Sequence, residues 1–258
     1  MRAPLAIVVA LFWWFQTPAL RSDTLVVMTS GAFTAAFEKL APTYERAGRG
    51  TVVASTTTMG TGAESIANRL QRREPADVVI VPAESLDSFI KAGTVIAASR
   101  VELARSSIAM AVHAGSRRPD ISSADALKRA LLEAQSVAYS ASVSGDYLVN
   151  ELFPRLGIAE QMKVKARRID RERVGAVVAR GEAEIGFQQL SELLPIAGVD
   201  VVGVLSDDVQ RVTTIAAGVA THSSHPEAAR AFIRFLASPD AAAIVEKTGL
   251  QSIARPAE

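Results

Sequence analysis

The sequence predicts an α/β protein of two lobes joined by a hinge of crossing strands. Three observations carry that prediction. From Asp23 onward, short β-branched apolar runs alternate with amphipathic segments, as strands joined by helices do. The apolar runs lack polar alternation, the mark of strands buried on both faces. The chain has 258 residues, 49% of them apolar, which is too much for one small core. Yet no repeat, low-complexity tract or long linker divides it into independent modules.

The elements follow in order. Residues 25–28 (Leu-Val-Val-Met) read as a strand and 33–47 as a helix with Phe33, Phe37, Leu40 and Tyr44 on one stripe. Residues 51–54 form a second strand and 64–72 a second helix, with Ile66 and Leu70 inward. A third strand over 77–81 precedes a helix over 83–92 that stops at Gly93. This order implies a parallel sheet with right-handed crossovers. A second unit opens with the run at 108–113. It continues with a helix over 124–134, a strand over 137–139, a helix over 146–156 and a strand over 162–166. A helix over 174–180 and a strand over 184–187 complete it. Residues 211–220 are the last long apolar run, and 226–237 and 239–247 read as closing helices with Pro in the first turn. The chain is expected to leave the first lobe near 102–107 and return near 212–217. Residues 23–105 and 213–258 then make lobe 1, and residues 106–212 lobe 2, with a ligand between them.

Residues 1–22 read as a signal peptide. Arg2 supplies the positive start, 6–15 the apolar stretch and Thr17-Pro18-Ala19 the small-residue end, with cleavage after Ala19 or Ser22. A retained anchor ranks second, because Gln16-Thr17 and Pro18 shorten the apolar stretch below a membrane span. The expected location is the periplasm, with no stable membrane association after leader cleavage. Without cysteine the chain has neither a lipid-attachment site nor a disulfide framework. Its 28 basic residues balance 27 acidic ones, so nothing steers it toward nucleic acid. Aromatic residues, at 5%, offer few stacking platforms for bases or sugars.

Four strand-to-helix junctions are built of Ser, Thr, Gly or Arg: Thr29-Ser30-Gly31, the run from Thr56 through Thr58, Thr61 and Gly62, the run from Ser140 through Ser144 to Gly145, and Asp170-Arg171-Glu172-Arg173. The first N–H groups of a helix lack intrahelical partners, and its dipole there favours negative charge. Ordinary N-capping uses the same residue types. Because open α/β sheets bind beyond the carboxyl ends of their strands, the four junctions can share one small-anion site. Metal and cofactor chemistry are not expected. His113, His222 and His225 have no compact ligand spacing, Ser144 lacks a nucleophile-elbow context, and Gly60-Thr61-Gly62 is too short for a dinucleotide fingerprint. Met59 is expected to pack against its lobe, and Asp77 to act at a cap or turn.

Three stretches carry a family likeness: 25–37, the Glu74-Pro75-Ala76-Asp77 approach to a strand, and 175–186, where a helix ends in Gly-Glu-Ala before a strand. They resemble the periplasmic solute-binding proteins of ABC importers, within them the molybdate-binding type. The resemblance implies the two-lobed periplasmic-binding-protein fold, a small anionic ligand and an ABC permease as partner. It implies an oxyanion held by serine hydroxyls, backbone N–H groups and one tyrosine. The first family position falls at Ser30, Gly31 or Ala32, most naturally Ala32. Thr58, Thr61 and Gly62 compete for the second, the third falls near Ser144, and the fourth at Arg173 or Val174. Gln189 stands where the family has tyrosine. The missing tyrosine and first serine, and the added Arg173, shift the expectation from molybdate to an organic carboxylate, which a guanidinium matches bidentately. The ligand-binding set is thus Ser30, Thr58, Thr61, Ser144, Arg173 and Gln189. Arg167, Arg168 and Arg171 lie close by, so a solvated basic face is the competing reading of Arg173.

Chains of this divergent kind also resemble periplasmic aconitate isomerase in type and size. That resemblance implies proton removal beside a carboxylate, an allylic shift and reprotonation, which need a base and stabilisation of enediolate charge. Arg173 could stabilise that charge, and Glu64, Asp146 and Glu172 are base candidates at loop ends. Each acid is more often a first-turn helix residue favoured by the dipole. Import of a bound anion is the first functional reading and isomerisation the second.

Overall fold

The structure, a computed structural model, describes residues 24–55, 57 and 59–254. The leader and Thr58 lie outside the described residues. Among the described residues, eleven strands fall into two sheets. The first contains β1 (Thr24–Thr29), β2 (Thr51–Ser55), β3 (Val78–Pro82), β4 (Val101–Ser106), β10 (Thr213–Val219) and β11 (Gln251–Ser252), in the order β11-β4-β10-β3-β1-β2. The second contains β5 (Ile108–His113), β6 (Val137–Ser140), β7 (Ala166–Ile169), β8 (Ile185–Gln189) and β9 (Val199–Val204), in the order β7-β6-β8-β5-β9. β1, β2 and β3 pair in parallel, as do β6, β7 and β8, while β10 runs antiparallel to both β3 and β4. Each sheet is the centre of one lobe.

Local sequence explains the helices that position the cleft. The helix Gly31–Arg46 buries Phe33, Phe37, Leu40 and Tyr44, the predicted stripe, and Tyr44 meets Phe232 edge-on at 4.9 Å. Ser65 caps the helix Ile66–Gln71 by accepting from Asn68 N, so that helix begins two residues later than its periodicity indicates. Gly93, at φ 72°, ends the helix Ala83–Lys91 in the left-handed conformation that glycine adopts without strain. Met59 packs against the core cluster that contains Met28 and Ile66, as expected. Asp77 accepts from Val26 N at 2.9 Å and from the Ser223 hydroxyl at 2.6 Å, tying the start of β3 to β1.

Two segments depart from the sequence reading. Residues 162–166 are not a strand: Ala159–Lys165 is a helix, and the strand follows at Ala166–Ile169. The alternation of Met162, Val164 and Ala166 imitates a strand, but Val164 is 87% exposed. Ile158 and Met162, four apart, are the buried pair. The helix expected over 146–156 begins earlier, at Val143, and contains a π turn, Leu148–Leu152, before Phe153–Arg155. Pro154 has no N–H to give the preceding turn, and the wider turn accommodates it.

β4 and β5 are separated only by Ser107, so the chain passes directly from one sheet to the other. The return passes through 205–212. Gln210 fixes this crossing with its side-chain amide: Oε1 accepts from Ile108 N at 2.9 Å and Nε2 donates to Ile108 O at 3.0 Å. Arg211 spans the lobes at the same level, bonding Glu84 at 3.0 Å and Glu151 at 2.5 Å.

Candidate functional site

A cleft of about 390 Å³ lies between the lobes, within the size range of small-molecule sites. Its walls are the carboxyl ends of β1, β2 and β3 on one side and of β6, β7 and β8 on the other, with Thr213 and Ile215 of β10 at the hinge. Ser30, Ser144, Arg173 and Gln189 all line it, so residues spread over much of the chain converge here. The second loop contributes Thr57, Met59 and Gly60. Thr61 is exposed and is not among the lining residues. Its carbonyl and that of Gly62 accept from Asn68 Nδ2 at 3.1 and 2.9 Å, which folds this end of the loop onto the following helix.

Each lining residue has a physical reason for its place. Ser30 precedes the helix Gly31–Arg46; its N–H donates to Ile80 O at 2.8 Å, and its hydroxyl is buried with no protein partner. A buried polar atom left unpaired costs about 1–3 kcal/mol, which a bound ligand can offset. Ser140, Ser142 and Ser144 form a hydroxyl triangle with edges of 2.7, 3.0 and 3.3 Å. Gly145 lets β6 and the next helix approach so closely, because a Cβ there would collide with Ser140 O. Gln189 Nε2 donates to the Thr213 hydroxyl at 3.2 Å, linking β8 to the hinge, while its Oε1 is buried without a protein partner. Ala32, where the family serine would fall, lines the cleft, and its carbonyl accepts from Ser191 of the other lobe at 2.8 Å.

The arginine cluster separates into two kinds. Arg167 pairs with Glu182, Arg168 with Asp170, and Arg180 with both Glu172 and Glu182. Arg173, at the start of the helix Val174–Ala179, is partly buried in the cleft, and among the described residues no ion pair or hydrogen bond claims its guanidinium.

Sequence reasoning missed Glu192. This acid follows β8 in the short helix Leu190–Leu193 and reaches across to Gly31 of the other lobe. Burial pushes its carboxyl up to about 7, against the opposing pull of the Arg173 charge and the Gln188 hydrogen bond. The acids singled out from sequence are placed otherwise. Glu64 and Asp146 are exposed and lie outside the lining, and Glu172 lines the rim but is bonded twice to Arg180 at 2.9 Å. Among the described residues no group of three or more His, Cys, Asp and Glu is arranged to hold a metal ion, and no helix is long and apolar enough to cross a membrane.

Two lobes, a two-segment hinge and an interlobe cleft lined by strand ends define a two-lobed binding protein of the periplasmic type. Residues 25–251 match the bacterial extracellular solute-binding proteins, and the chain belongs to that family. It is 47% identical over 242 residues to a Pseudomonas aconitate isomerase, covering 92% of each chain. The periplasmic molybdate-binding protein of Azotobacter vinelandii superposes with a TM-score of 0.69 at 17% identity, over 88% of this chain and 98% of that one. The substrate-binding domain of a putative molybdenum ABC transporter from Clostridium difficile gives 0.66 at 18% identity, over 89% and 99%. Both likenesses establish the shared fold.

Proposed function

We propose that this is a periplasmic isomerase that binds aconitate in the interlobe cleft and interconverts its cis and trans forms. The observation that carries the reading is Arg173, a guanidinium partly buried in a cleft whose lining includes Ser30, Ser140, Ser142 and Ser144 and the amides of Gln188 and Gln189. Planar carboxylates suit its fork, whereas the hydroxyl and N–H donors suit any anion. The Pseudomonas relative, similar over nearly the whole chain, supports aconitate as the carboxylate.

The chemistry follows from the substrate. Its methylene lies between a carboxylate and an alkene carbon, so the anion left by proton loss spreads over the allyl unit and the carboxylate. In this reading Arg173 and the Ser30 hydroxyl, both on the cleft lining, hold that charge, with Ser144 as a further donor. Gln189 orients the hydroxyl of Thr213 at the hinge. Closure of the lobes withdraws the substrate from water and brings both halves of the site together.

Delivery of a bound carboxylate to a membrane permease is the second reading, supported by the family to which the chain belongs. A ligand panel separates the two. Purified protein is melted with cis-aconitate, trans-aconitate, citrate and molybdate while product is measured in the same samples. Stabilisation by the aconitates with conversion supports the isomerase. Stabilisation without conversion supports delivery, and stabilisation by molybdate alone refutes the carboxylate reading.

A further inference from the structure

We infer that Glu192 is the catalytic acid–base of the cleft, the group that takes the proton from the substrate methylene and returns one to the far allylic carbon. The inference rests on the aconitate reading above and adds to it the residue that moves the proton.

Placement carries the argument. Among the described residues four carboxylates line the cleft, and three are occupied elsewhere or solvated. Asp170 is bonded to Arg168 at 3.0 Å, Glu172 to Arg180, and Glu38 is exposed. Glu192 alone among them is partly buried. Gln188 Nε2 donates to its Oε1 at 3.0 Å and fixes the carboxyl, and Gly31 leaves the space in which that oxygen lies, since a Cβ there would collide with it. A carboxylate in an anion cleft opposes binding by like-charge repulsion, so a site built only to hold a tricarboxylate has no use for it. A proton-transfer site does. The charged groups facing Glu192 are Arg173 from the loop after β7, with Arg171, Glu38 and Glu172 farther out on the lining.

The step balances without a co-reactant. Glu192 carboxylate takes a methylene proton, and the C–H electron pair becomes the new double bond. The old π pair then takes a proton from the Glu192 carboxyl at the former vinylic carbon. Rotation of the allylic anion before that return sets cis or trans geometry. A carboxyl poised near neutrality both accepts and releases a proton at working pH.

The test compares wild type, Glu192→Gln and Glu192→Asp in initial isomerisation rate, and in binding of tricarballylate, a saturated tricarboxylate that cannot isomerise. Glu192→Gln is expected to lower kcat about a thousandfold. Tricarballylate should bind it as tightly as wild type or more so, and Glu192→Asp should recover part of the rate. Wild-type kcat/KM should rise with pH through about 7 and lose that limb in Glu192→Gln. Wild-type turnover with Glu192→Gln retaining a tenth or more of the rate overturns the role of Glu192 alone. A wild type that binds tricarballylate yet converts neither aconitate overturns the isomerase reading, and this inference with it.

Discussion

Truncating Arg173 to alanine tests the carboxylate site through its only proposed cationic contact. Arg173 is partly buried at the start of the helix Val174–Ala179, and among the described residues no ion pair is lost with it. A net contribution of about 1.5–3 kcal/mol per charged hydrogen bond applies. Since about 1.4 kcal/mol is tenfold, Arg173→Ala should weaken tricarballylate binding by about ten- to a hundredfold. Arg173→Lys keeps the charge without the fork and should fall between. A second signature distinguishes the cleft from a generic basic surface. The Arg173 charge favours the ionised form of Glu192, so its loss should move the Glu192 carboxyl above its present value of about 7. Titration calorimetry over a pH series reads both effects. Unchanged affinity together with an unmoved titration would place Arg173 on the same solvated face as Arg167 and Arg168, and the carboxylate argument would fail.

Stability should carry the signature of Glu192 as well. Its carboxyl is raised in the folded protein from an ordinary 4.5 to about 7, so the contribution to stability is full below 4.5 and is lost as pH rises through 7. Glu192→Gln cannot ionise; relative to wild type it should gain up to about 3 kcal/mol across that interval and nothing further above it. Urea denaturation at several pH values measures this, and a difference independent of pH would contradict the burial of the acid. Gly31→Ala should leave melting within about 2 °C of wild type, because that backbone is an ordinary helix start. It should nevertheless cut turnover at least about tenfold by displacing the Glu192 carboxyl; full activity would show that this contact is not needed. Gly145→Ala, by contrast, drives a methyl group into a backbone carbonyl, and its melting temperature should fall by several degrees; an unchanged melt would show that the Ser140 loop can yield.

What could be read from the sequence divides along local and distant causes. The stripe Phe33, Phe37, Leu40 and Tyr44 and the buried runs of β1 and β3 announce themselves by spacing, because burial repeats every turn or every residue. β9 escaped notice: it is an edge strand, only half-buried, and Asp200 and Gly203 interrupt its pattern. The helix Ala159–Lys165 was hidden by an alternation that puts Val164 into water. It is held partly by Lys165, whose ammonium donates to Leu132 and Ala134 carbonyls 31 or more positions away, which no window reveals. Ser30, Ser144, Arg173 and Gln189, which line the cleft, lie at the end of a strand or within four residues after one, a position that sequence can indicate. Glu192 was not legible, since it is brought into the cleft beside Gly31, far away in the chain. Thr61 looked equivalent to its neighbours until the Asn68 side chain claimed its carbonyl.

The most direct test follows trans-aconitate with purified protein in heavy water by proton NMR. The account predicts that cis-aconitate signals grow in, with deuterium uptake lagging turnover because one carboxyl carries the proton between the two carbons. Trans-aconitate that remains unchanged, while the same protein is stabilised by it, would contradict the account and leave a binding protein in its place.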